Sequence, residues 1–273
     1  MIRPLRQLRV SQVVVDLLLR ASTVRPRVRM ETLDREAYTE AALRALHAMA
    51  TRLMAEEYEH FRVHAYANDV AHVFRRVDTG EVVGFQFWRT AELQRPRARI
   101  ILGGKLRVLP EFRNHALHLL SGLVFYAQNQ LRRPRTRFYR LSIASIFGFV
   151  SITEALADYR LFDPHERGAE ADAIRAAFVR LAAESHFVPN ERGWFHVGIV
   201  PTPATLGRYS PRYFEKPAAR IYALANPEFR TNGYNLGFWF RFTPANLGAL
   251  VRTIGRKLWA RSLRDRVDAG SRS

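Results

Sequence analysis

Cysteine is absent from the 273 residues of this chain, and its absence excludes several kinds of chemistry at once. A chain without thiols has no disulfide bonds, no thiolate nucleophile and no cysteine-ligated zinc site. Long apolar runs are also lacking, since the nearest to one, residues 141–153, is shorter than a bilayer span and is better interpreted as a buried strand followed by a helix. The 48% of hydrophobic residues predicts one elaborated globular domain, or a domain with an extension.

Several short signatures of well-known enzymes are missing as well. There is no Gly-x-x-x-x-Gly-Lys-Ser/Thr or Gly-x-Gly-x-x-Gly, so neither nucleotide hydrolysis nor dinucleotide redox chemistry is predicted. Ser142 and Ser145 lack the Gly-x-Ser-x-Gly turn of serine hydrolases. His60 and His64 share a helical spacing, but the zinc signature His-Glu-x-x-His is absent, and a surface cluster is favoured over a metal site. We therefore expect no metal.

The net charge of +18 is concentrated at the two ends of the chain. Residues 1–30 contain seven arginines against Asp16, and residues 250–273 contain six arginines and Lys257 against two aspartates. Such charge attracts phosphates, acidic proteins, anionic membranes and nucleic acid. A non-catalytic basic nucleic-acid-binding protein is therefore the alternative hypothesis for function. Nucleic acid is not the expected partner, because the excess charge lies at the termini and no recognised reader motif is present.

The basic N-terminal segment, residues 1–26, has a charged start and an apolar stretch that superficially resemble an export signal. Asp16 interrupts the apolar part, and Arg20 follows without a small-x-small cleavage site, so export is not predicted and a cytoplasmic location is expected. An arginine-rich and acid-poor start is also found in organelle transit peptides. Abundant arginine and alanine with little lysine fits a high-GC bacterium at least as well.

Residues 250–273 are predicted to form a basic amphipathic helix and tail. Apolar residues recur there at helical spacing, with basic residues on the remaining arc, and the apolar set is Leu250, Val251, Ile254, Leu258 and Trp259. This pattern is typical of a helix on an anionic membrane surface, which would make the protein peripheral on the inner face of the membrane. A helix docked on its own domain gives the same pattern, and this interpretation is preferred because most amphipathic helices cover a core.

The rest of the chain predicts alternating strands and helices. Between 27 and 162 the order is strand, helix, three strands, helix, strand and helix, with a hairpin turn at 78–80 and a bulge at Gly103-Gly104. The predicted bounds are 27–33, 34–58 with Asp34 as N-cap, 70–77, 81–89, 97–108, 112–132, 138–144 and 148–159. Residues 163–249 add a helix over 169–187, a buried strand over 194–200 and turns punctuated by proline.

One segment in this order, residues 106–118 with the sequence LRVLPEFRNHALH, leads from a strand through Pro110 and Arg113 into a long helix. A strand that ends at an exposed helix N-terminus offers convergent backbone N–H groups and a positive dipole to a diphosphate. The spacing Leu-x-Val-x-Pro-x-x-Arg resembles the central motif of the GNAT superfamily of N-acyltransferases, whose core has the same order of elements. The family usually has small residues at two later positions, where this chain has Ala116 and His118. A plain strand–turn–helix connection is the alternative.

The resemblance implies an α+β fold, with a GNAT-like mixed, mainly antiparallel sheet flanked by helices and a C-terminal α/β extension. It divides the chain into the segment 1–26, an acyl-CoA-binding core over 27–162, an added layer over 163–249 that shapes the acceptor pocket, and the C-terminal helix and tail over 250–273. A different α+β sheet with helices packed on it is the alternative.

For function, the resemblance implies an acyltransferase that takes an acyl group from acyl-CoA or acetyl-CoA, or from an acyl carrier protein, and passes it to a primary amine by direct attack in a ternary complex. The backbone of Arg107, Val108 and Leu109 would contact the thioester and the pantetheine. The residues expected at the diphosphate are Arg113, Asn114, His115, Ala116, Leu117 and His118. The aromatic content of 194–240 suggests a long acyl chain carried onto an amino acid.

The resemblance also implies a tyrosine that protonates the leaving thiolate. Tyr159 and Ala155 match the family pattern Asn-x-x-Ala-x-x-x-Tyr, although its asparagine is replaced. An ordinary tyrosine at a helix boundary is the alternative interpretation of Tyr159. The strand before Pro110 carries no carboxylate to serve as the base. Glu111 and His115 are the candidate bases, and a water relay is an equal alternative.

Overall fold

The computed structural model describes residues 28–53, 57–198, 200–201 and 203–270, without the side chains of 113–115, 204 and 261–270. The predicted N-terminal segment 1–26 lies outside these residues. The strands are β1 (Val28–Asp34), β2 (Val70–Arg76), β3 (Val82–Glu92), β4 (Ala98–Val108), β5 (Arg137–Ala144), β6 (Arg160–Leu161), β7 (Val188–Pro189), β8 (Trp194–His196) and β9 (Tyr234–Arg241).

The helices are α1 (Glu40–Thr51), α2 (Tyr58–Tyr66), α3 (Leu117–Arg132), α4 (Ile146–Thr153), α5 (Ala169–Glu184), α6 (Pro203–Leu206), α7 (Pro211–Phe214), α8 (Pro217–Ala225) and α9 (Pro244–Gly270). Two 3-10 segments, Arg35–Ala37 and Pro110–His115, precede α1 and α3. The fold is α+β with mostly antiparallel strands flanked by helices, so the predicted fold class is confirmed. No helix in the described part of the chain combines the length and the apolar character needed to cross a membrane.

The chain forms two compact units. The first comprises Met1–Thr90, Ile101–Arg135 and Leu250–Ser273, and the second comprises Ala91–Ile100 and Thr136–Ala249.

In the first unit the strands lie in the order β1-β2-β3-β4, and β2 pairs antiparallel with both β1 and β3. Consecutive residues of a strand point to opposite faces of its sheet. Phe85 and Phe87 of β3 therefore share one face, where their rings both contact Phe61 of α2 at centroid distances of 5.8 Å. Trp88 points to the other face, where its indole N–H donates to the hydroxyl of Ser121 on α3 at 2.7 Å.

A fully buried polar group lies beneath α3 in the first unit. The Ser121 hydroxyl accepts the Trp88 indole proton and also lies 2.8 Å from Nδ1 of His72 on β2. Because the indole only donates, the hydroxyl proton of Ser121 is available to His72 Nδ1. Helix α3 comes close enough to Trp88 that a Cβ at Gly122 would lie 3.1 Å from the indole. Packing and hydrogen bonding together thus fix α3 on the sheet.

In the second unit the strand order is β5-β9-β8-β7, and β6 also pairs with β9. All of these pairs are antiparallel. Helices α4 and α8 share a core with β9, in which Phe149 contacts Tyr222 and Phe238 at centroid distances of 5.3 and 5.2 Å. The Tyr222 hydroxyl donates to the carbonyl of Ala144 at 3.1 Å, which joins α8 to the end of β5.

Three helix boundaries differ from the sequence prediction. The helix expected over 34–58 is confined to α1 (Glu40–Thr51), and α2 begins only at Tyr58. The N-cap of α1 is Thr39, whose hydroxyl accepts from the amide of Ala42 at 3.2 Å. Asp34 instead ends β1, where it is paired with Val70. The helix expected from residue 112 begins at 117, after a 3-10 segment. The helix expected over 148–159 ends at Thr153.

Candidate functional site

Strand β4 and the start of α3 form the segment that the sequence singles out. The amide of Leu109 donates to the carbonyl of Val83 at 2.9 Å, so β3 and β4 stay paired up to the end of β4. A Cβ at Gly84 would lie 2.7 Å from the carbonyl oxygen of Arg107. This close approach requires glycine at position 84, because a side chain there would push β4 away from β3. The course of the backbone at Arg107, Val108 and Leu109 is thereby fixed by its neighbour.

The turn into α3 has a left-handed residue at its end. Ala116 has φ 54° and ψ 19°, and its carbonyl accepts from the amides of both Leu119 and Leu120 at 3.0 Å. This conformation is sterically unfavourable for a residue with a Cβ, whereas glycine adopts it readily. The helix begins directly after Ala116, so the amides of Leu117 and His118 lie in its first turn. A first turn of this kind is suited to an anionic ligand.

The residues predicted to contact the diphosphate, residues 113–118, are called the cradle residues below. The structure describes only some of their side chains. Ala116 and Leu117 are buried, and His118 is half-buried. The side chains of Arg113, Asn114 and His115 lie outside the described part of the chain, so their roles stay predictions. Glu111 is exposed in the first turn of the 3-10 segment.

Tyr159 belongs to the second unit, whereas the cradle residues belong to the first. Its ring contacts Phe149 at 5.6 Å and Phe238 at 6.4 Å, and burial raises the pKa of its hydroxyl. The hydroxyl is therefore protonated at neutral pH, as a proton donor must be.

Tyr159 is not on a helix, contrary to the sequence prediction. It follows a short segment held by Asn246, whose side-chain oxygen accepts from the amides of both Ala157 and Asp158 at 2.9 Å. The amide group of Asn246 also donates to the carbonyls of Asp158 and Arg241. The chain therefore leaves α4 before it reaches Tyr159.

The sequence interpretation missed a group around Gly104 in the first unit. A Cβ at Gly104 would lie 2.8 Å from Nε2 of His64 on α2, so the imidazole rests directly on the backbone of β4. Burial, together with the electrostatic effects of His60, Arg89 and Arg107, lowers the pKa of His64 to about 4. His64 is consequently neutral at pH 7.

Lys105 is the second missed residue, and it lies next to Gly104. Its backbone has φ 40°, and its ammonium nitrogen lies 5.9 Å from the ring centroid of Phe61. Burial lowers the pKa of Lys105 to about 8, with a further contribution from Arg107. The sequence does contain a signal for this residue, since Lys105 is one of only three lysines in a chain with 43 lysines and arginines.

Metal-ligating side chains do not converge anywhere in the described residues, where no group of three or more histidines and carboxylates is found. The pair His60 and His64 illustrates this, because His60 is exposed while His64 rests on β4.

No protein-family model and no curated protein matches the chain. Solved structures do resemble its fold. Naa50 of Arabidopsis thaliana, in complex with the bisubstrate analogue CoA-Ac-MVNAL, is 15% identical over 52% of this chain and 91% of its own, with a TM-score of 0.34. An acetyltransferase of Trypanosoma brucei is 18% identical over 52% of this chain and 96% of its own, with a TM-score of 0.33.

A third structure is the GNAT family N-acetyltransferase YhbS of Escherichia coli, in complex with CoA. It is 16% identical over 45% of this chain and 64% of its own, with a TM-score of 0.29. All three similarities are at low sequence identity and low TM-score.

Proposed function

We propose that the chain is a divergent GNAT-like N-acyltransferase that transfers an acyl group from acyl-CoA to a primary amine. The observation that carries the proposal is the path of β4 into α3. The strand ends at Val108, and a 3-10 segment and the left-handed Ala116 then lead into the first turn of α3. This path occurs within the order of elements that the sequence shares with the GNAT core.

The first turn of α3, with Leu117 and His118, suits the diphosphate of the co-substrate, because the positive end of the helix dipole lies there. Ala116 leaves most of the room that glycine would give. Arg113, Asn114 and His115 precede this turn in the sequence, and we assign to Arg113 a charge-assisted contact with the diphosphate. The backbone of Arg107, Val108 and Leu109 is assigned to the pantetheine and the thioester carbonyl.

The reaction is a direct attack of a free amine on the thioester carbonyl carbon. The new C–N bond forms, the C–S bond breaks, and CoA leaves as a thiolate that takes a proton from the Tyr159 hydroxyl. The proton of the acceptor ammonium goes to Glu111 or His115, or to water. The amine nitrogen loses a second proton as the amide forms, and this proton restores the Tyr159 hydroxyl through solvent. Tyr159 carries its proton at neutral pH, because burial raises the pKa of its hydroxyl.

The donor class extends to acyl carrier proteins, since these are generally acidic and the chain carries +18. For the acceptor we propose an amino acid that receives a long acyl chain. The support for the long chain is the aromatic content of the second unit, where Phe147 stacks on Tyr209 at 4.3 Å and lies 6.0 Å from Tyr213.

Attachment to the inner face of an anionic membrane is proposed for α9, in a cytoplasmic protein. Leu250 and Ile254 are buried at 5% and 6% exposure, as a docked helix requires. Val251 and Trp259 are 56% and 68% exposed, and Trp259 lies on the arc opposite Leu250 and Ile254. Arginines 252 and 256 are exposed on the same arc. The docked face and the basic, apolar face are therefore different faces of one helix, and the second is suited to a membrane surface.

Calorimetry tests the proposed function directly. The full chain is titrated with acetyl-CoA, with a long-chain acyl-CoA and with a short DNA duplex, each at two salt concentrations. We expect acyl-CoA binding that survives moderate salt, because hydrogen bonds from the helix amides are screened less than surface charges. Binding to DNA alone, with a steep loss as salt rises, would overturn the proposal in favour of a nucleic-acid-binding protein.

A further inference from the structure

A pocket of about 380 Å³ lies in the second unit, at the place where β6 and β8 meet along β9. Strand β5 occupies one edge of β9, and β6 and β8 lie end to end along the other edge. Trp194 is paired with Leu236, and Leu161 with Phe238. Paired residues share a face of the sheet, as do residues two apart in one strand, so Trp194, Leu161 and Leu236 form one apolar wall of the pocket.

Two segments of opposite charge meet beside this wall. A Cβ at Gly193 would lie 2.7 Å from Cδ of Pro164 and 3.2 Å from the carbonyl oxygen of Phe162, so the turn before β8 rests on the segment after β6. Arg192 lies in the first segment and Asp163 in the second, and both residues line the pocket. Because both are also exposed, they lie at its open side.

Local contacts restrain the two charged groups. The guanidinium carbon of Arg192 lies 5.1 Å from the ring centroid of Trp194, so the cation stands over the indole that forms the wall. The side-chain oxygen of Asn190 accepts from the amides of Arg192 and Trp194 at 3.0 and 2.9 Å, which fixes the turn that carries them. Oδ1 of Asp163 accepts from the amide of His165 at 2.8 Å. Restraint of this kind reduces the entropy that a ligand must lose on binding.

We propose that this pocket binds a free α-amino acid with an apolar side chain. The planar guanidinium of Arg192 binds the carboxylate, and Asp163 binds the ammonium group. The apolar side chain of the ligand lies against Trp194 and Leu236. The volume is near the lower end of the range for small-molecule sites, which is about 300–1,000 Å³, and an amino acid is a ligand of that size class.

An amino acid is also the acceptor class of the proposed function, and only its role as the acceptor rests on that function. Binding itself requires residues of the second unit alone, since Leu161, Asp163, Arg192, Trp194 and Leu236 all belong to it. It is therefore measured without any thioester, and acyl-CoA binding is measured in a separate titration.

Calorimetry of the full chain with amino acids and truncated analogues tests the inference. The ligands are L-phenylalanine and L-leucine, then phenylalaninamide, which lacks the carboxylate, and 3-phenylpropionate, which lacks the ammonium group. We expect one or both amino acids to bind, and each analogue to bind at least about ten times more weakly than L-phenylalanine or L-leucine, whichever binds more tightly.

Two variants identify the groups that read each charge. Arg192→Gln should weaken amino-acid binding by about tenfold and leave the affinity for the amide analogue unchanged, because that analogue has no carboxylate. Asp163→Asn should likewise weaken amino-acid binding by about tenfold and leave the affinity for 3-phenylpropionate unchanged. Arg167→Gln removes an exposed arginine of the same unit outside the pocket and is the control.

The proposal is overturned if neither amino acid binds, or if both variants bind the amino acid as tightly as the wild type and the control do. A melting temperature measured for each variant shows that it is folded. If amino-acid binding fails while acyl-CoA binds, the pocket assignment is refuted and the proposed function stands. If the amino acid binds while acyl-CoA does not, the pocket stands and the proposed function is refuted.

Discussion

Acid should destabilise the first unit through two buried histidines. Burial lowers the pKa of His72 to about 3 and that of His64 to about 4, from an ordinary value of 6.5. In the unfolded chain both imidazoles take a proton near pH 6.5, whereas in the folded chain they stay neutral well below that. Their contribution to stability is therefore complete above pH 6.5 and is lost as the pH falls towards 4 and 3.

The magnitude follows from these pKa values. Between pH 7.5 and pH 5 each histidine removes about 2 kcal/mol from the free energy of unfolding, so the two remove about 4 kcal/mol together. A loss of that size is a large part of the stability of an ordinary domain, which is about 5–15 kcal/mol. His72 has the larger total effect below pH 4, because its pKa is the lower of the two.

Urea denaturation at several values of pH from 7.5 to 4 measures this dependence. Trp88 serves as the reporter, because its indole bonds to the same Ser121 hydroxyl as His72. His64→Gln should lower the loss between pH 7.5 and pH 5 by about 2 kcal/mol, and the double variant with His72→Gln by about 4 kcal/mol, whatever their stability at neutral pH. His165→Gln, which changes an exposed histidine outside the first unit, is the control. Parallel pH curves for the wild type and the double variant would refute the reasoning.

Three further predictions concern the proposed function. Arg113→Ala should weaken acyl-CoA binding by about 1–3 kcal/mol, and an unchanged affinity in a folded variant would remove Arg113 from the diphosphate site. Tyr159→Phe should lower kcat by about 10²-fold at unchanged acyl-CoA affinity in steady-state kinetics with an identified acceptor, whereas normal turnover with an altered Tm would show a structural tyrosine. Trp259→Ala and Arg252→Gln should each weaken binding to anionic vesicles, the latter by about 1 kcal/mol at low salt, with no change in Tm. Equal vesicle binding by both variants and the wild type would exclude this face of α9 as the anchor.

The parts of the fold that local pattern determines were predictable. The hairpin of β2 and β3 and the helix α5 lie within a few residues of their predicted bounds, because alternation and helical periodicity are properties of neighbouring residues. Asp34 failed as an N-cap because its backbone is paired with Val70 in the sheet, and tertiary pairing overrides a local cap signal.

The parts that depend on distant residues were not predictable from pattern. Tyr159 lies outside the expected helix because the side chain of Asn246 accepts from the amides of Ala157 and Asp158. The residues near Tyr159 in the sequence give no signal for this distant hydrogen-bond partner. Likewise, no local sequence pattern predicts the contact of His64 with Gly104, because it forms only when α2 packs on β4. The path from β4 into α3 was predictable from local pattern, whereas the packing of His64 and Lys105 near Gly104 and Phe61 was not.

The position of β9 has a consequence for how the protein is made. This strand forms hydrogen-bonded pairs with β5, β6 and β8, all of which are synthesised before it. Leu250 and Ile254, which belong to the first unit, are synthesised later still. During translation, the edges of β5 and β8 that pair with β9 therefore stay unpaired until residues 234–241 have left the ribosome. Unpaired strand edges of this kind promote the aggregation of nascent chains. A ribosome that stalls before this strand releases a chain in which neither unit is complete, and such a chain becomes a substrate for chaperones and proteases.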